Sequence, residues 1–472
     1  MIVLFVFQVL AILSVLFIEH KKPEEAVLWV AVIALLPVLG LLLYLALAST
    51  VRIKIVYWVR SRRLSERYMT LLNWQLDGLK EQHDLPQSLE MDTLQSCIRF
   101  HMECCHSMLT FHNEIEIITA GKEKYELLFA DIAAAETSIH ISYYAIHNDE
   151  VGKALAALLE QKAKEGVRVR VLYDSLGSLF TPPSLFAGLR KAGGFARRVK
   201  PSPTHFRNHR KIVVIDGRIG YTGGMNIGRK YLGKIKNKTP WRDTHMRVRG
   251  ESVRLLQYYF LYDWYFAHRV GQAGIEEPEY DLLFPPTVVR DVLPCQVVAG
   301  GVDTENANIK LSFLRLITSA KKRIWIQTPY FIPSDTVLEA LFLALASGIE
   351  VNLMVPAQRS SFFLEPTTNY YIRRLLPAGL KVYQYEGYIH AKVMVVDDVI
   401  ASIGSSNMDI RSLEIDDEVQ MIFYDEAFNE RYMDVIAEDL RHCHELDYAE
   451  FTSRGVMARG KERFFQLFSS LM

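Results

Sequence analysis

The chain has 472 residues, 54 Lys and Arg against 54 Asp and Glu, and half of its residues are hydrophobic; that suits two domains or one doubled domain and excludes a disordered chain. Zero formal net charge removes the general electrostatic case for a nucleic-acid partner, so any anion-binding argument must be local. The five cysteines, Cys97, Cys104, Cys105, Cys295 and Cys443, are odd in number and lack paired spacing, which argues against a disulfide framework and fits a reducing compartment.

Met1 to Ile18 carries no charged side chain, nor does Ala26 to Ser49, and Glu19 to Glu25 is a short polar connection. At about 1.5 Å per residue each run crosses or nearly crosses a hydrocarbon core of about 30 Å. Residues 1–50 are therefore predicted to form a hairpin of two transmembrane helices. A signal peptide fits poorly, because the first run lacks a basic leader and a small-residue cleavage site; a buried soluble hairpin fits poorly because Val27 to Leu47 has no polar face. Arg52, Lys54, Arg60, Arg62, Arg63 and Arg67 follow the second run, against Lys21 and Lys22 in the loop, which predicts a multi-pass membrane protein with a cytoplasmic body.

Residues 51–110 are rich in helix formers and charges and read as a helical connector. Beyond them strands and helices alternate. "SIHISYYAI" (138–146), "EVGKALAALLEQKAKEG" (150–166) and "VRVRVLYD" (167–174) predict strand, amphipathic helix and strand, and the order returns in "RIWIQTPYFI" (323–332), "SDTVLEALFLALASG" (334–348) and "IEVNLMVP" (349–356). Gly166 and Gly348 are 182 residues apart, and His209 and His390 are 181 apart. A duplication predicts an α/β body of two halves, 111–295 and 296–472, related by a pseudo-twofold, each a parallel-rich sheet flanked by helices.

The recurring histidine opens a longer motif, His-x-Lys-(x)4-Asp followed by a glycine turn that ends in Asn. The copies are His209, Lys211, Asp216, Gly223, Gly224, Asn226 and His390, Lys392, Asp397, Gly404, Ser405, Asn407. On a strand, positions two apart share a face, so His and Lys project together. Two lysines and two asparagines would offer donors to a phosphate's non-bridging oxygens. Two imidazoles suit an in-line displacement, one attacking to form a phosphohistidine and the other serving as acid and then base. Such a scheme needs neither metal nor cofactor.

Asp216 and Asp397 complete the catalytic motif but fall on the opposite strand parity, which reads as turn-fixing. A carboxylate should orient each imidazole; Asp243, after Asn226, and Glu418, after Asn407, are the candidates, with Glu414 and Asp417 as substitutes. Ser405 supports the second turn, and Arg207 and Arg210 flank His209 as candidate substrate contacts. His205 is close enough in sequence to line the site. The aromatic pairs Tyr143-Tyr144 and Tyr330-Phe331 suit either the core or the pocket rim. His101, Cys104, Cys105 and His106 lack the spacing of a zinc site.

At these residues the doubled motif resembles the phospholipase D superfamily, and the text around it, "FRNHRKIVVIDGRIGYTGGMNIG", "IWIQTPYFIP" and "HAKVMVVDDVIASIGSSNMDIRS", is similar to bacterial cardiolipin synthases. The resemblance covers nearly the whole chain. It implies two phospholipase D-like α/β/α domains behind the membrane hairpin. It also implies transfer of a phosphatidyl group from one phosphatidylglycerol to another, giving cardiolipin and glycerol; hydrolysis or another acceptor alcohol is the alternative. Within the family the N-terminal histidine, here His209, is the nucleophile, a choice the pseudo-symmetry alone leaves open. The polar Ser405-Ser406 pair and the acidic Ile415-Asp416-Asp417 run depart from the expected pattern. Fourteen Lys or Arg against Asp216 alone, between Phe186 and Lys238, suit anionic membrane lipids. The sequence does not decide whether the C-terminal Phe464, Phe465, Leu467, Phe468 and Leu471 dock on the body or touch lipid, and it is silent on oligomeric state.

Overall fold

A computed structural model describes residues 2–19, 23–47, 64–77, 92–199, 206–233, 241–267, 282–301, 304, 306–357 and 362–469. Fifteen strands form one continuous sheet in which one strand order occurs twice. From the centre outward the first copy runs Leu109–Ile118, His245–Gly250, Ile219–Gly223, Lys211–Ile215, Ser138–Tyr143, Arg168–Asp174 and Phe195–Val199. The second runs Val292–Gly300, Glu418–Phe423, Ile400–Gly404, Val393–Val396, Arg323–Gln327, Glu350–Pro356 and Lys381–Tyr385, with Cys443–Glu445 added at its edge. The innermost strands of the two copies pair antiparallel, so the repeat read from the spacing becomes a pseudo-twofold at mid-sheet.

Two separate, parallel-rich sheets were expected, and the structure corrects this. Only the two outer pairings of each copy are parallel. The motif strands are antiparallel to their neighbours because the chain reverses within a few residues, whereas parallel pairing needs a helical crossover. At both reversals two successive residues have positive φ, Asp216 and Gly217 in one and Asp397 and Asp398 in the other, the left-handed geometry that tight hairpins favour. Gly217 has no room for a side chain, since a Cβ there would lie 2.6 Å from the Leu283 carbonyl oxygen. Asp398 adopts the same conformation with its carboxylate held by Arg323 at 2.9 Å.

Both faces of the sheet are covered, which explains the unbroken apolar runs after each lysine. Val213 and Ile215 pack with Leu128, Leu155 and Leu159 of the helices Gly121–Ala134 and Glu150–Lys164. Ile212 and Val214 face Val253, Leu256 and Phe260 of the helix Ser252–Ala267. The connector contributes helices at 64–77 and Asp92–Cys105. They are docked: Tyr68 stacks on Tyr258 at 4.3 Å, and the buried His101 ring meets the Tyr424 and Ser312 hydroxyls at 3.0 and 2.9 Å.

The apolar N-terminal segment folds as three helices, Ile2–Phe17, Pro23–Leu35 and Pro37–Leu47. The second run was expected to be a single helix, but it breaks at Leu36, because Pro37 has no N–H to donate. Among the described residues no helix is long and apolar enough to cross a membrane. The helices pack through Ala11, Val15, Ile33, Leu41 and Tyr44, and the Tyr44 hydroxyl reaches Ser14 Oγ at 3.1 Å.

Candidate active site

Each half ends its His-x-Lys strand at the seam, where two short parallel pairings cross between the halves. Tyr388–Ile389 pairs with Trp241–Arg242, and Asn208 bridges Asp417. Through them the His390 amide donates to the Arg242 carbonyl at 2.6 Å and the His209 amide donates to the Asp417 carbonyl at 2.8 Å. The next residue in each donated-to segment is a carboxylate, which the seam therefore delivers to the histidine of the opposite half.

That placement decides the pairing. His209 Nδ1 lies 2.7 Å from Glu418 Oε1, and His390 Nδ1 lies 2.7 Å from Asp243 Oδ2. An ionised carboxylate only accepts, so each Nδ1 carries a proton and each Nε2 keeps its lone pair. Glu418 is fixed by the Ser405 hydroxyl on its other oxygen, and Asp243 accepts the Thr244 amide at 2.8 Å. In the first half the counterpart of Ser405 is Gly224, where a Cβ would lie 2.0 Å from Asp243 Oδ1; there the carboxylate fills the space that a side chain would need.

Lys211 and Lys392 donate to the carbonyls of His209 and His390 at 2.6 and 2.5 Å. Lys392 Nζ is also 2.9 Å from His390 Nδ1, but that nitrogen's proton already points at Asp243. The six groups share one field: Lys211 and Lys392 each feel both Glu418 and Asp243. Burial lowers Lys211 to about 7 and Lys392 to about 8. Burial likewise lowers His209 to about 4 and His390 to about 3, against the opposing pull of their carboxylates. For Glu418 and Asp243 burial acts upward, yet the facing histidine and lysine outweigh it and both stay below the usual carboxylate range. The resting site is thus two neutral imidazoles over ionised carboxylates.

Aromatic rings wall each half-site. Tyr144 meets His209 edge-on at 4.8 Å, while Trp241 and Tyr388 lie 5.0 and 6.0 Å from His390. Each aromatic pair singled out in the sequence is split: Tyr143 and Phe331 are core, Tyr144 faces His209, and Tyr330 joins the Tyr388 hydroxyl at 3.0 Å. Trp241 and Tyr388 were not singled out in the sequence, although each stands two residues before a site residue, Asp243 and His390, the spacing that shares a strand face. Lys230 lies over the Trp241 ring at 5.4 Å.

Several expected site residues act elsewhere. Asp216 accepts from the amides of Glu136, Thr137 and Ser138 at 2.7–2.9 Å, and Asp397 from those of Lys321, Lys322 and Arg323 at 2.6–2.9 Å. Each fastens a neighbouring strand's start and neither touches a catalytic group, in keeping with its parity. Arg210 was expected at the substrate and is corrected: it is buried, with its guanidinium on Asp263 and on the Gly300 and Glu418 carbonyls. The Asn226 side chain accepts the Ala145 amide at 3.1 Å and donates to the Tyr231 hydroxyl at 2.9 Å, and Asn407 donates to Ser412 at 3.4 Å. Both asparagines therefore brace the turn with one amide N–H, and each amide carries a second. Arg207 keeps a half-buried place beside Tyr144 and Asp416. Glu414 pairs with Lys310 at 3.2 Å, and Asp417 serves through its backbone. His205, Lys200, Lys234, Lys236 and Lys238 lie outside the described residues, and in the rest of the basic stretch Arg190 and Arg198 are engaged by backbone carbonyls.

A doubled body with paired His-Lys half-sites at its seam defines a phospholipase D-type fold. The family described as "Cardiolipin synthase, PLD-like domain" matches residues 128–264 and 313–440, and "Phospholipase_D-nuclease N-terminal" matches residues 6–48. The major cardiolipin synthase ClsA of Bacillus subtilis is 37% identical over 99% of this chain and 98% of its own length. A cardiolipin synthase of Geobacillus kaustophilus is 37% identical over 99% and 94%. Among solved structures, phosphatidylserine synthase of Haemophilus influenzae superposes with a TM-score of 0.58 at 16% identity, over 77% of this chain and 97% of that one, a likeness of fold. The chain belongs to the cardiolipin synthase family of the phospholipase D superfamily.

Proposed function

We propose that the protein is a cardiolipin synthase, a phosphatidyltransferase acting on two phosphatidylglycerol molecules. The observation that carries the mechanism is the crossed pairing of each imidazole with a carboxylate of the other half. His209 Nε2 attacks the phosphorus of the first lipid, forming an N–P bond as the P–O bond to the glycerol headgroup breaks. His390 gives its Nε2 proton to the departing alkoxide, so free glycerol leaves. The second lipid's glycerol hydroxyl then loses its proton to His390 and attacks the phosphohistidine, releasing His209 and forming cardiolipin. Lys211 and Lys392 hold the non-bridging oxygens as negative charge concentrates there.

Both imidazoles are neutral in the resting site, whereas the first step needs His390 protonated. The phosphodiester supplies the remedy. An entering anion favours the charged form of both lysines; with these balanced by the two carboxylates it still leaves the pocket one charge negative, which favours proton uptake by an imidazole already aimed by Asp243. Substrate binding and acid formation are thus coupled.

The membrane is the reaction's setting on this reading. Phe5, Leu10, Leu28, Leu39 and Leu42 are exposed on the outside of the N-terminal helices, an apolar surface of the kind that marks a membrane or protein contact and that on this reading faces lipid. The helices Pro23–Leu35 and Pro37–Leu47 together form one kinked crossing, with Ile2–Phe17 as the other arm. The arginines and lysines after residue 50 place the body on the cytoplasmic side; reporter fusions at the loop and the C-terminus check that orientation. The decisive assay is product analysis of the purified protein with phosphatidylglycerol. Cardiolipin and glycerol in equal amounts are expected. Phosphatidic acid alone would turn the reading into a hydrolase.

A further inference from the structure

The C-terminal helix Val456–Gln466 is two-faced, and among the described residues only one face is packed against the body. Glu462 and Phe465 turn inward: Glu462 meets Arg373 at 2.8 Å and Arg454 at 3.3 Å, and Phe465 is enclosed edge-on by Phe362 and Phe363, each 5.2 Å away. Phe465 is 6% exposed, whereas its neighbours Phe464 and Leu467 are 56% and 71% exposed. Met457, Lys461, Phe464 and Phe468 follow one another at helical spacing along the outer face. Phe362 and Phe363 extend that apolar surface onto the body, being themselves largely exposed.

The exposed charges of the helix itself have one sign, and the one exposed acid next to Phe363 on the body is Glu365. Arg459, Lys461 and Arg463 are exposed, while the helix's single acid, Glu462, is buried and neutralised. Lys461 Nζ rests over the Phe362 ring at 4.2 Å, its charged end at the edge of the apolar surface. Aromatic and aliphatic side chains ringed by cations, with no exposed acid on the helix, match an anionic bilayer: the rings enter the acyl boundary and the cations meet the phosphates. A protein partner would need acids to answer the same three cations. A continuous anionic surface needs no such fit.

We propose that the face formed by Phe362, Phe363, Phe464, Leu467 and Phe468 is a second membrane contact, which seats the catalytic body on anionic lipid independently of the N-terminal helices. The inference rests on the membrane setting proposed above. It goes further in giving the body its own attachment, so that the active site has a fixed attitude to the lipid surface and does not swing from a tether.

The test uses the full chain with an environment-sensitive fluorescent amino acid at Leu467 or, separately, at Leu39. Each protein is reconstituted in vesicles of phosphatidylcholine with or without phosphatidylglycerol, with bromine-labelled acyl chains as quencher. The proposal expects the Leu467 probe to shift to the blue and be quenched with phosphatidylglycerol present, and to be less quenched without it. If the Leu39 probe is quenched and the Leu467 probe stays in water, the docking face is refuted while the membrane setting stands. If neither is quenched, the membrane setting fails and docking with it. A blue shift at Leu467 without quenching would mean that protein covers the face, and equal quenching in neutral vesicles would defeat the charge argument; either overturns the proposal.

Discussion

Replacing Glu418 by Gln removes a full negative charge from beside His209 and leaves the side chain's size unchanged. With Nδ1 and Oε1 2.7 Å apart, the charge centres of an imidazolium–carboxylate pair lie about 4 Å apart, an attraction of about 4 kcal/mol at an effective dielectric of about 20. At about 1.4 kcal/mol per factor of ten, losing it in the transition state would slow the reaction by about 10³. The Gln amide oxygen still accepts from Nδ1 and returns part of that, so kcat is expected to fall by about 10²–10³ with an unchanged unfolding midpoint. The check is the initial rate of cardiolipin formation, with acid-stable and acid-labile phosphate on the protein counted in a quenched single turnover. The variant should form phosphohistidine slowly, because Glu418 holds His209, the nucleophile of the proposed mechanism. A rate within threefold of the unaltered protein would refute the claim that this carboxylate acts on His209 across the seam.

Three further outcomes are expected. Gly224→Ala places a Cβ against Asp243 Oδ1 at 2.0 Å and should displace the carboxylate from His390, lowering kcat by about tenfold or more with far less effect on the unfolding midpoint; cardiolipin assay and thermal unfolding separate the two. Asp216→Ala removes a carboxylate that accepts three amides, so it should cost about 1–3 kcal/mol of stability while kcat per folded molecule stays within a few-fold, as measured by denaturant titration beside active-site titration with trapped phosphohistidine. Stability should also fall with acid. His101, His140, His209 and His390 have folded pKa values near 3 to 4 against about 6.5 unfolded. The unfolded chain therefore binds more protons between those limits, and stability present above pH about 6.5 is lost as pH falls toward about 3. Unfolding midpoints across that range check this, and a flat profile would contradict the burial of these rings.

Much of the site was legible because its determinants are local. The duplication shows as a fixed spacing between His209 and His390, and strand parity puts each lysine with its histidine and each aspartate, Asp216 or Asp397, away from it. Burial of both sheet faces is written in the uninterrupted Ile212–Ile215 and Val393–Val396 runs. Arg210 illustrates the opposite case. A cation next to a catalytic histidine looks like a phosphate contact, and only its place against Asp263, 53 residues away, makes it a structural brace. The partners that Asn226 and Asn407 hold, Tyr231 and Ser412, likewise could not be deduced from the motif. The break at Pro37 was visible in the sequence, yet the apolar run around it suggested a single helix.

The sequence by itself determined the chemistry, namely two imidazoles, two ammonium groups and two carboxylates in repeated order, because residue type and strand periodicity are properties of a short stretch of chain. Which carboxylate serves which histidine was decided only in the tertiary structure. Asp243 lies 34 residues from His209 and 147 from His390 in the chain, yet it is His390 that it touches. The reason is that short segments of the two halves pair across the seam, and a backbone hydrogen bond there, from His390 to Arg242 or from His209 to Asp417, carries the following side chain into the other half's site.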